Sequence, residues 1–380
     1  MMVHEPSVHN LTPARDMPKL TALNLPGSPD FVHALQSVWE RGDAVFALDR
    51  RLPVAAQRSM LQRFGVATVI SEDGETALSD GEPVESGDAL VIATSGSSGP
   101  PKAAVLTHAA VEASARATSE RLQVTDNDHW LACLPLAHVG GLSVITRSLI
   151  TGTKLTVIDG FDAEAVSASE ATLVSLVSTA LQRIDPSLFR VIVLGGARPP
   201  ADRPPHCIAT YGLTETGSGV VYNGKALNSV EIEIRDGEVH LRGPMLLRCY
   251  RDGTSPLTSD GWLPTGDLGF LRDDGSLHVE GRRGDVINTG GEKVWPDDVE
   301  RQLIQHPDIH DVAVNGLPDN EWGQIVAAFV VSARPNLSLD EIREHCRAQL
   351  PGYALPRQLE LVEAIPRTAL GKVRRSELTV

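Results

Sequence analysis

The chain has 380 residues, 42% of them hydrophobic, with a formal net charge of −15. That length suggests two or more domains and that composition supports packed cores, while the acidic balance argues against a nucleic-acid partner, which leaves a basic footprint. Cys133, Cys207, Cys249 and Cys346 are scattered without a CxxC pair, which speaks against a disulfide or metal framework, and no apolar run approaches the roughly 18 residues of a membrane span.

The first residues, 1–19, mix His, Glu, Pro and Arg and lack a signal-peptide core, so a soluble, cytoplasmic protein without an integral membrane segment is expected. Residues 30–41 place Phe31, Ala34, Leu35, Val38 and Trp39 on one helical face. From residue 89, short apolar runs alternate with helical stretches. Strands are predicted at 89–94, 130–135, 154–158, 172–177, 190–194 and 207–210, and helices at 108–122, 138–150 and 178–184. This alternation predicts an α/β domain with a mostly parallel sheet, whose ligand crevice lies at the carboxyl ends of the strands.

The pattern changes after residue 225. Residues 230–234 and 238–241 alternate strictly around Asp236-Gly237, a hairpin signal, and a second hairpin is expected over 269–279 around Asp273-Asp274-Gly275. The two predict a small β unit. The last hundred residues read as a compact α+β module. It has a helix at 297–306, strands at 312–317 and 325–332, and a helix running from the capping box Ser338-Leu339-Asp340-Glu341 to Leu350. A boundary is expected near 281–285, dividing the chain into 1–283 and 284–380.

Residues 94–102 read Thr-Ser-Gly-Ser-Ser-Gly-Pro-Pro-Lys and follow the apolar run 89–93. Glycines let backbone N–H groups approach an anion, hydroxyls add donors and the lysine adds charge, so the stretch reads as a phosphate-holding loop. A flexible linker is the alternative. The spacing differs from that of P-loop NTPases, because two residues separate Gly96 from Gly99 and Ala103 follows Lys102. Five more polar, glycine-bearing stretches follow: 211–216 (Tyr-Gly-Leu-Thr-Glu-Thr), 265–269 (Thr-Gly-Asp-Leu-Gly), 281–285 (Gly-Arg-Arg-Gly-Asp), 289–294 (Thr-Gly-Gly-Glu-Lys-Val) and 366–372, which ends in Gly371-Lys372. Each alone is weak; their joint order is specific.

In that order the motifs resemble the acyl-adenylate-forming superfamily of acyl-CoA synthetases, adenylation domains and luciferases, over about residues 89–380. The resemblance implies a large N-terminal domain with mostly parallel sheets, followed by a small mobile α+β domain. It implies ATP, Mg²⁺, coenzyme A and a small carboxylic acid as partners. The carboxylate attacks the α-phosphate of ATP, pyrophosphate leaves, and a thiol then displaces AMP. On this resemblance Thr94, Ser95, Gly96, Ser97, Ser98, Gly99 and Lys102 grip the β- and γ-phosphates. Gly195, Gly196 and Ala197 form the turn beside adenine and the acyl group. Tyr211, followed by Gly212, stacks on adenine or else packs in the core. Thr214 contacts phosphate, and Glu215 ligates Mg²⁺, a hard cation suited to carboxylate oxygen. Asp267 accepts from the ribose hydroxyls or caps a turn, and Arg282 contacts the ribose, forms a boundary salt bridge, or both. Gly290 and Gly291 border the pantetheine channel once the small domain has rotated, with the hinge position falling on Gly284. Lys372 bridges the substrate carboxylate and the α-phosphate, or is a solvated surface charge.

The acid is suggested by residues 134–147. His138, at a predicted helix start, orders the carboxylate, gates the pocket, or is a capping or packed histidine. Arg147 lies on that helix and suits a substrate with a second carboxylate; a surface arginine is the alternative. Residues 141–149 (Gly-Leu-Ser-Val-Ile-Thr-Arg-Ser-Leu), with 219–224 (Gly-Val-Val-Tyr-Asn-Gly), most resemble the o-succinylbenzoate–CoA ligases of menaquinone biosynthesis in a short, actinobacterial-type form. Gly219 then joins the substrate site. The segment ahead of the glycine-rich loop is shorter than in most acyl-CoA synthetases, which puts the family's N-terminal structure, including part of the usual dimer surface, in doubt and leaves a homodimer open. Rival readings are a ligase for another aryl or medium-chain acid, an enzyme loading a carrier protein, and a non-catalytic nucleotide sensor. Glu215, Asp267, Arg282 and Lys372 together argue against the sensor.

Overall fold

The structure, a computed structural model, describes residues 17–94, 101–200, 202–367 and 373–379. Two seven-stranded sheets form the large body. In spatial order the first runs Cys249–Tyr250, Ala103–Thr107, Asp88–Ala93, Ala44–Ala47, Leu20–Asn24, Thr68–Ser71 and Gly74–Ala77. The second runs Lys225–Ala226, Ser218–Tyr222, Cys207–Leu213, Val191–Leu194, Leu173–Leu176, His129–Ala132 and Lys154–Val157. The last five of these are parallel, as the β–α alternation predicts.

The helices Pro29–Glu40, His108–Arg121 and Val139–Thr151 share one apolar core with both sheets. Leu35, Val111, Leu142 and Ile145 meet Val45 and Leu90 of the first sheet and Trp130 and Leu173 of the second. Sequence chemistry sets the helix ends. Ser28 caps the first helix ahead of Pro29, and Gly152, at φ 72°, closes the third in the left-handed region.

The strands before residue 88 were not anticipated. They are short and lack strict alternation, because the parallel ones are covered on both faces. The flanks of the glycine-rich stretch are paired. Asp88–Ala93 pairs antiparallel with Ala103–Thr107, and the Thr94 N–H donates to the Lys102 carbonyl at 2.8 Å. The glycine-rich stretch therefore connects two paired antiparallel strands.

The predicted β unit is a third, antiparallel sheet of Glu231–Arg235, Glu238–Arg242, Leu263–Leu271 and Leu277–Arg282. Asp236 and Gly237 both have positive φ, 49° and 76°, as a two-residue hairpin requires. From Ile287 onward the strands form a fourth sheet with its own core of Val299, Leu303, Val314, Val326 and Ile342. The capping box of Ser338 and Glu341 is present, but the helix Leu339–Cys346 stops short of Leu350. The residue before Pro351 is disfavoured in the helical region, and the chain leaves by a turn.

Candidate active site

Three of the expected nucleotide residues, Tyr211, Asp267 and Arg282, meet where the second and third sheets come together. The strand Cys207–Leu213 shifts register between Tyr211 and Gly212, and a Cβ on Gly212 would collide with the Ser218 carbonyl. Tyr211 Oη donates to Asp267 Oδ2 at 2.7 Å. Burial, reinforced by the Asp267 charge, pushes the Tyr211 phenol pKa up, so it stays a donor. Asp267 lies opposite Arg282 in adjacent strands, with Arg282 Nε 3.0 Å from Asp267 Oδ1. Arg282 Nη1 also donates to the Thr265 carbonyl at 2.7 Å. Gly266, at φ 74°, bends the strand here, and its N–H donates to Glu238. Asp267 is thus a nearly buried carboxylate held from two sides, and its side chain does not simply cap a turn.

Glu215 sits in the turn Thr214–Thr216 and accepts from Tyr250 Oη at 2.9 Å. Burial and then the Glu215 charge push the Tyr250 phenol pKa up. Lys102 Nζ lies 4.7 Å from the centre of the Tyr250 ring. Tyr250 pairs with Ala104, two residues past Lys102, so the short strand Cys249–Tyr250 ties the neck of the glycine-rich loop to Glu215. Among the described residues no group of three or more His, Cys, Asp or Glu could cage a metal. Mg²⁺ keeps several waters and takes one or two carboxylates plus substrate phosphates. Glu215 therefore suits a cation that arrives with a nucleotide.

The residues expected on the acyl side gather around the helix Val139–Thr151. Arg147 is 2% exposed. Its Nη2 donates to Ser218 Oγ at 3.1 Å, and its guanidinium stacks 4.7 Å from the Trp130 ring. Nε and Nη1 meet no partner among the described residues. Arg147 also lines a cavity of about 10 Å³ with Ile92, Ser114, Val139, Ser143 and Gly217. Burial lowers its pKa, yet a guanidinium keeps its proton. The surface-arginine alternative is excluded.

His138 precedes this helix, but its side chain makes no capping hydrogen bond. It meets Arg51 instead, with Arg51 Nη2 2.8 Å from His138 Nε2 and Asp49 Oδ2 3.6 Å away. Gly219 packs closely on Thr210 and the Tyr222 hydroxyl, where a Cβ would crowd both. Gly195 and Gly196 turn the chain after Val191–Leu194, Gly196 at φ 84°. Ala197 leads to Arg198, which donates to the Val279 and Glu280 carbonyls and pairs with Asp298 at 2.9 Å.

Residues 78–251 match the AMP-binding enzyme family, and residues 298–372 match the AMP-binding enzyme C-terminal domain. A 2-succinylbenzoate–CoA ligase of Bacillus anthracis is 34% identical over 332 residues, spanning 76% of this chain and 69% of that protein. The chain belongs to the AMP-binding enzyme family. A second 2-succinylbenzoate–CoA ligase, from Listeria monocytogenes, is 33% identical over 83% of this chain and 76% of its own length. Among solved AMP-binding enzymes, the o-succinylbenzoate CoA synthetase of Bacillus subtilis bound to the acyl-adenylate OSB-AMP superposes with a TM-score of 0.85 at 28% identity, over 95% of this chain and 88% of that one. The same enzyme with ATP and magnesium gives 0.84 at 29%, over 94% and 89%. The mixed α/β fold, with a large N-terminal body and a smaller C-terminal module, is that of these enzymes.

Not every expected residue joins these clusters. Gly290 and Gly291 lie in the fourth sheet, in the tight turn after Ile287–Thr289, with φ of 58° and 87°. The Trp322 ring occupies the space a Gly290 Cβ would need. Gly284 sits in the turn Arg283–Asp285 with open space around it. Ser95, Gly96, Ser97, Ser98, Gly99 and Lys372 lie outside the described residues. Sequence reasoning missed Asp49, Arg51, Trp130 and Tyr250. None of them lies in a glycine-rich motif; Tyr250 reaches Glu215 through strand pairing, Trp130 stacks on Arg147, and Arg51, held by Asp49, meets His138.

Proposed function

We propose that the chain is an ATP-dependent, AMP-forming acid–CoA ligase that converts o-succinylbenzoate to o-succinylbenzoyl-CoA for menaquinone biosynthesis. Its relatives carry that name, and the structurally similar enzyme of Bacillus subtilis is known with ATP and magnesium and with OSB-AMP. The observation that carries the choice of acid is Arg147, a wholly buried cation with two nitrogens, Nε and Nη1, unpaired among the described residues and a cavity beside it. An uncompensated buried charge is costly, so such a group is expected where a ligand supplies the counter-charge. o-Succinylbenzoate has two carboxylates, one to be activated and one to meet Arg147.

In the first step a carboxylate oxygen bonds to the α-phosphorus, the bond to the β-phosphate oxygen breaks, and pyrophosphate departs. Repulsion between the two anions is offset by cations and fixed donors. Residues 94–102 with Lys102 would hold the departing phosphates, Thr214 would donate to phosphate, and Glu215 would bind Mg²⁺, which neutralises phosphate charge when bound. Asp267, oriented by Tyr211 and Arg282, would accept from the ribose hydroxyls, and Lys372 would bridge carboxylate and α-phosphate. In the second step the sulfur of coenzyme A, having lost its proton, bonds to the acyl carbon and AMP leaves, with Gly290 and Gly291 bordering the thiol channel. Such a reaction draws on ATP and coenzyme A, which supports a cytoplasmic setting; no described helix is long and apolar enough to cross a membrane.

The test is ATP/pyrophosphate exchange across a panel of carboxylic acids. Exchange should be strongest with o-succinylbenzoate and weak with benzoate and medium-chain acids. Equal exchange with monocarboxylates would reject the assignment of the acid while leaving the ligase chemistry standing.

A further inference from the structure

Asp49 and Arg51 lie in the turn after the strand Ala44–Ala47, in the part of the chain that carries no family motif. Asp49 is 7% exposed and grips Arg51 through three bonds. Arg51 Nε donates to Oδ1 at 2.8 Å, Nη2 to Oδ2 at 2.8 Å, and the Arg51 backbone N–H to Oδ1 at 3.1 Å. Burial alone would raise the Asp49 pKa, but these bonds and the Arg51 charge outweigh it and hold the carboxyl below its ordinary range. A bidentate carboxylate fixes the plane of a guanidinium. Arg51 Nη2 then reaches His138 Nε2 at 2.8 Å.

A guanidinium has only donors. A ring nitrogen 2.8 Å from Nη2 must therefore offer its lone pair, which leaves the ring proton on Nδ1. His138 immediately precedes the helix whose Val139, Ser143 and Arg147 line the acyl-side cavity. We infer that Arg51, held by Asp49, is a positioning residue that locks His138 as its Nδ1–H tautomer and so makes Nδ1 the donor offered to the acyl substrate. This rests on the proposed ligase function and on the first of the roles its sequence position suggests for His138, ordering the carboxylate of the acid. The arrangement follows a general rule for functional histidines, in which the partner of one ring nitrogen decides what the other can do.

The test uses the full-length protein with ¹⁵N-labelled histidine, the His138 signals being assigned by comparison with His138→Gln. In the natural protein Nε2 should give a pyridine-like shift and Nδ1 a pyrrole-like one. Arg51→Met should mix the tautomers or move the proton to Nε2, and Arg51→Lys, which keeps a donor, should largely restore the natural pattern. Since Arg51→Met strands a buried carboxylate, the pair Asp49→Asn with Arg51→Met serves as the second, charge-balanced variant. Both losses should lower kcat/KM for the acid about tenfold, the value of one hydrogen bond, with KM for ATP changed less than twofold. An unchanged tautomer in folded variants overturns the inference. A shifted tautomer with unaltered acid kinetics also overturns it. His138→Gln then separates the two failures: if it too leaves the acid kinetics unchanged, the placement of His138 at the acid falls.

Discussion

Replacing Arg147 by methionine should make the protein more stable and a far poorer ligase. Without an acid bound, the guanidinium has, among the described residues, one hydrogen bond, to Ser218, and one aromatic face, Trp130, for a nearly fully desolvated charge. Substituting an apolar side chain of similar volume for a buried charge is typically neutral or stabilising by about 1–4 kcal/mol. The adjoining cavity, about 10 Å³, admits roughly one water, which can satisfy one N–H and places the gain at the lower end, about 1–2 kcal/mol. At about 2–4 °C per kcal/mol for a domain of this order of size, Tm should rise by a few degrees. Truncating one partner of a buried charge pair costs about 2–5 kcal/mol in binding. At about 1.4 kcal/mol per factor of ten, kcat/KM for the diacid should fall roughly 30- to 3,000-fold, while KM for ATP stays within about twofold. Differential scanning fluorimetry and pyrophosphate release measure the two effects on one preparation. A lowered Tm with diacid kinetics intact would show that Arg147 holds the fold together and meets no substrate, and the reasoning would fail.

Three further outcomes are expected. Tyr250→Phe removes the donor to Glu215 but keeps the ring beside Lys102, so it should raise the Mg²⁺ concentration needed for half-maximal ATP/pyrophosphate exchange and lower kcat/KM for ATP about tenfold. Lys372→Ala should abolish acyl-AMP formation yet spare thioester formation from supplied acyl-AMP; loss of both half-reactions would remove the proposed role. Asp128 is nearly buried, and although burial alone would raise its pKa, Arg190, Thr125 and Thr172 outweigh this and hold it at about 2, below its ordinary 3.8. A depressed carboxyl adds stability above its unfolded pKa and loses it as pH falls through the folded one. Asp128→Asn should therefore cost about 2 kcal/mol at pH 7 and equally at pH 5, with the difference from the natural protein shrinking from about pH 4 towards pH 2 in urea titrations. A cost that grew on acidification would contradict the assignment.

Local chemistry made much of the architecture readable. Parallel strands covered on both faces read as apolar runs, so 89–94, 130–135 and 190–194 stood out, and Asp236-Gly237 named its own hairpin. Asp267 and Arg282 were legible because their motifs recur in one order along the chain. Arg147 was legible as a cation on an otherwise apolar helix, although only the fold shows how completely it is buried. What stayed hidden depends on partners far away in the chain. Nothing near Tyr250 announces that it closes on Glu215, since that meeting follows from strand pairing with Ala104. Arg51 and Asp49 sit in a polar stretch that resembles any surface turn until Val139–Thr151 is brought beside it.

Arg198 joins the two parts of the molecule, and the way its bonds divide has an energetic consequence. Its bonds to the Val279 and Glu280 carbonyls stay on the side of the large body, whereas Asp298 belongs to the C-terminal module. Swinging the module away would break only the ion pair from this side chain, and both partners are about a third or more exposed. Such pairs are worth about 0–1 kcal/mol. If the module moves as the sequence resemblance implies, Arg198 would be at most a weak catch. Because it directly follows Gly195, Gly196 and Ala197, a ligand that shifts this turn would do work on the catch, and by reciprocity the module's orientation would feed back on that ligand's affinity.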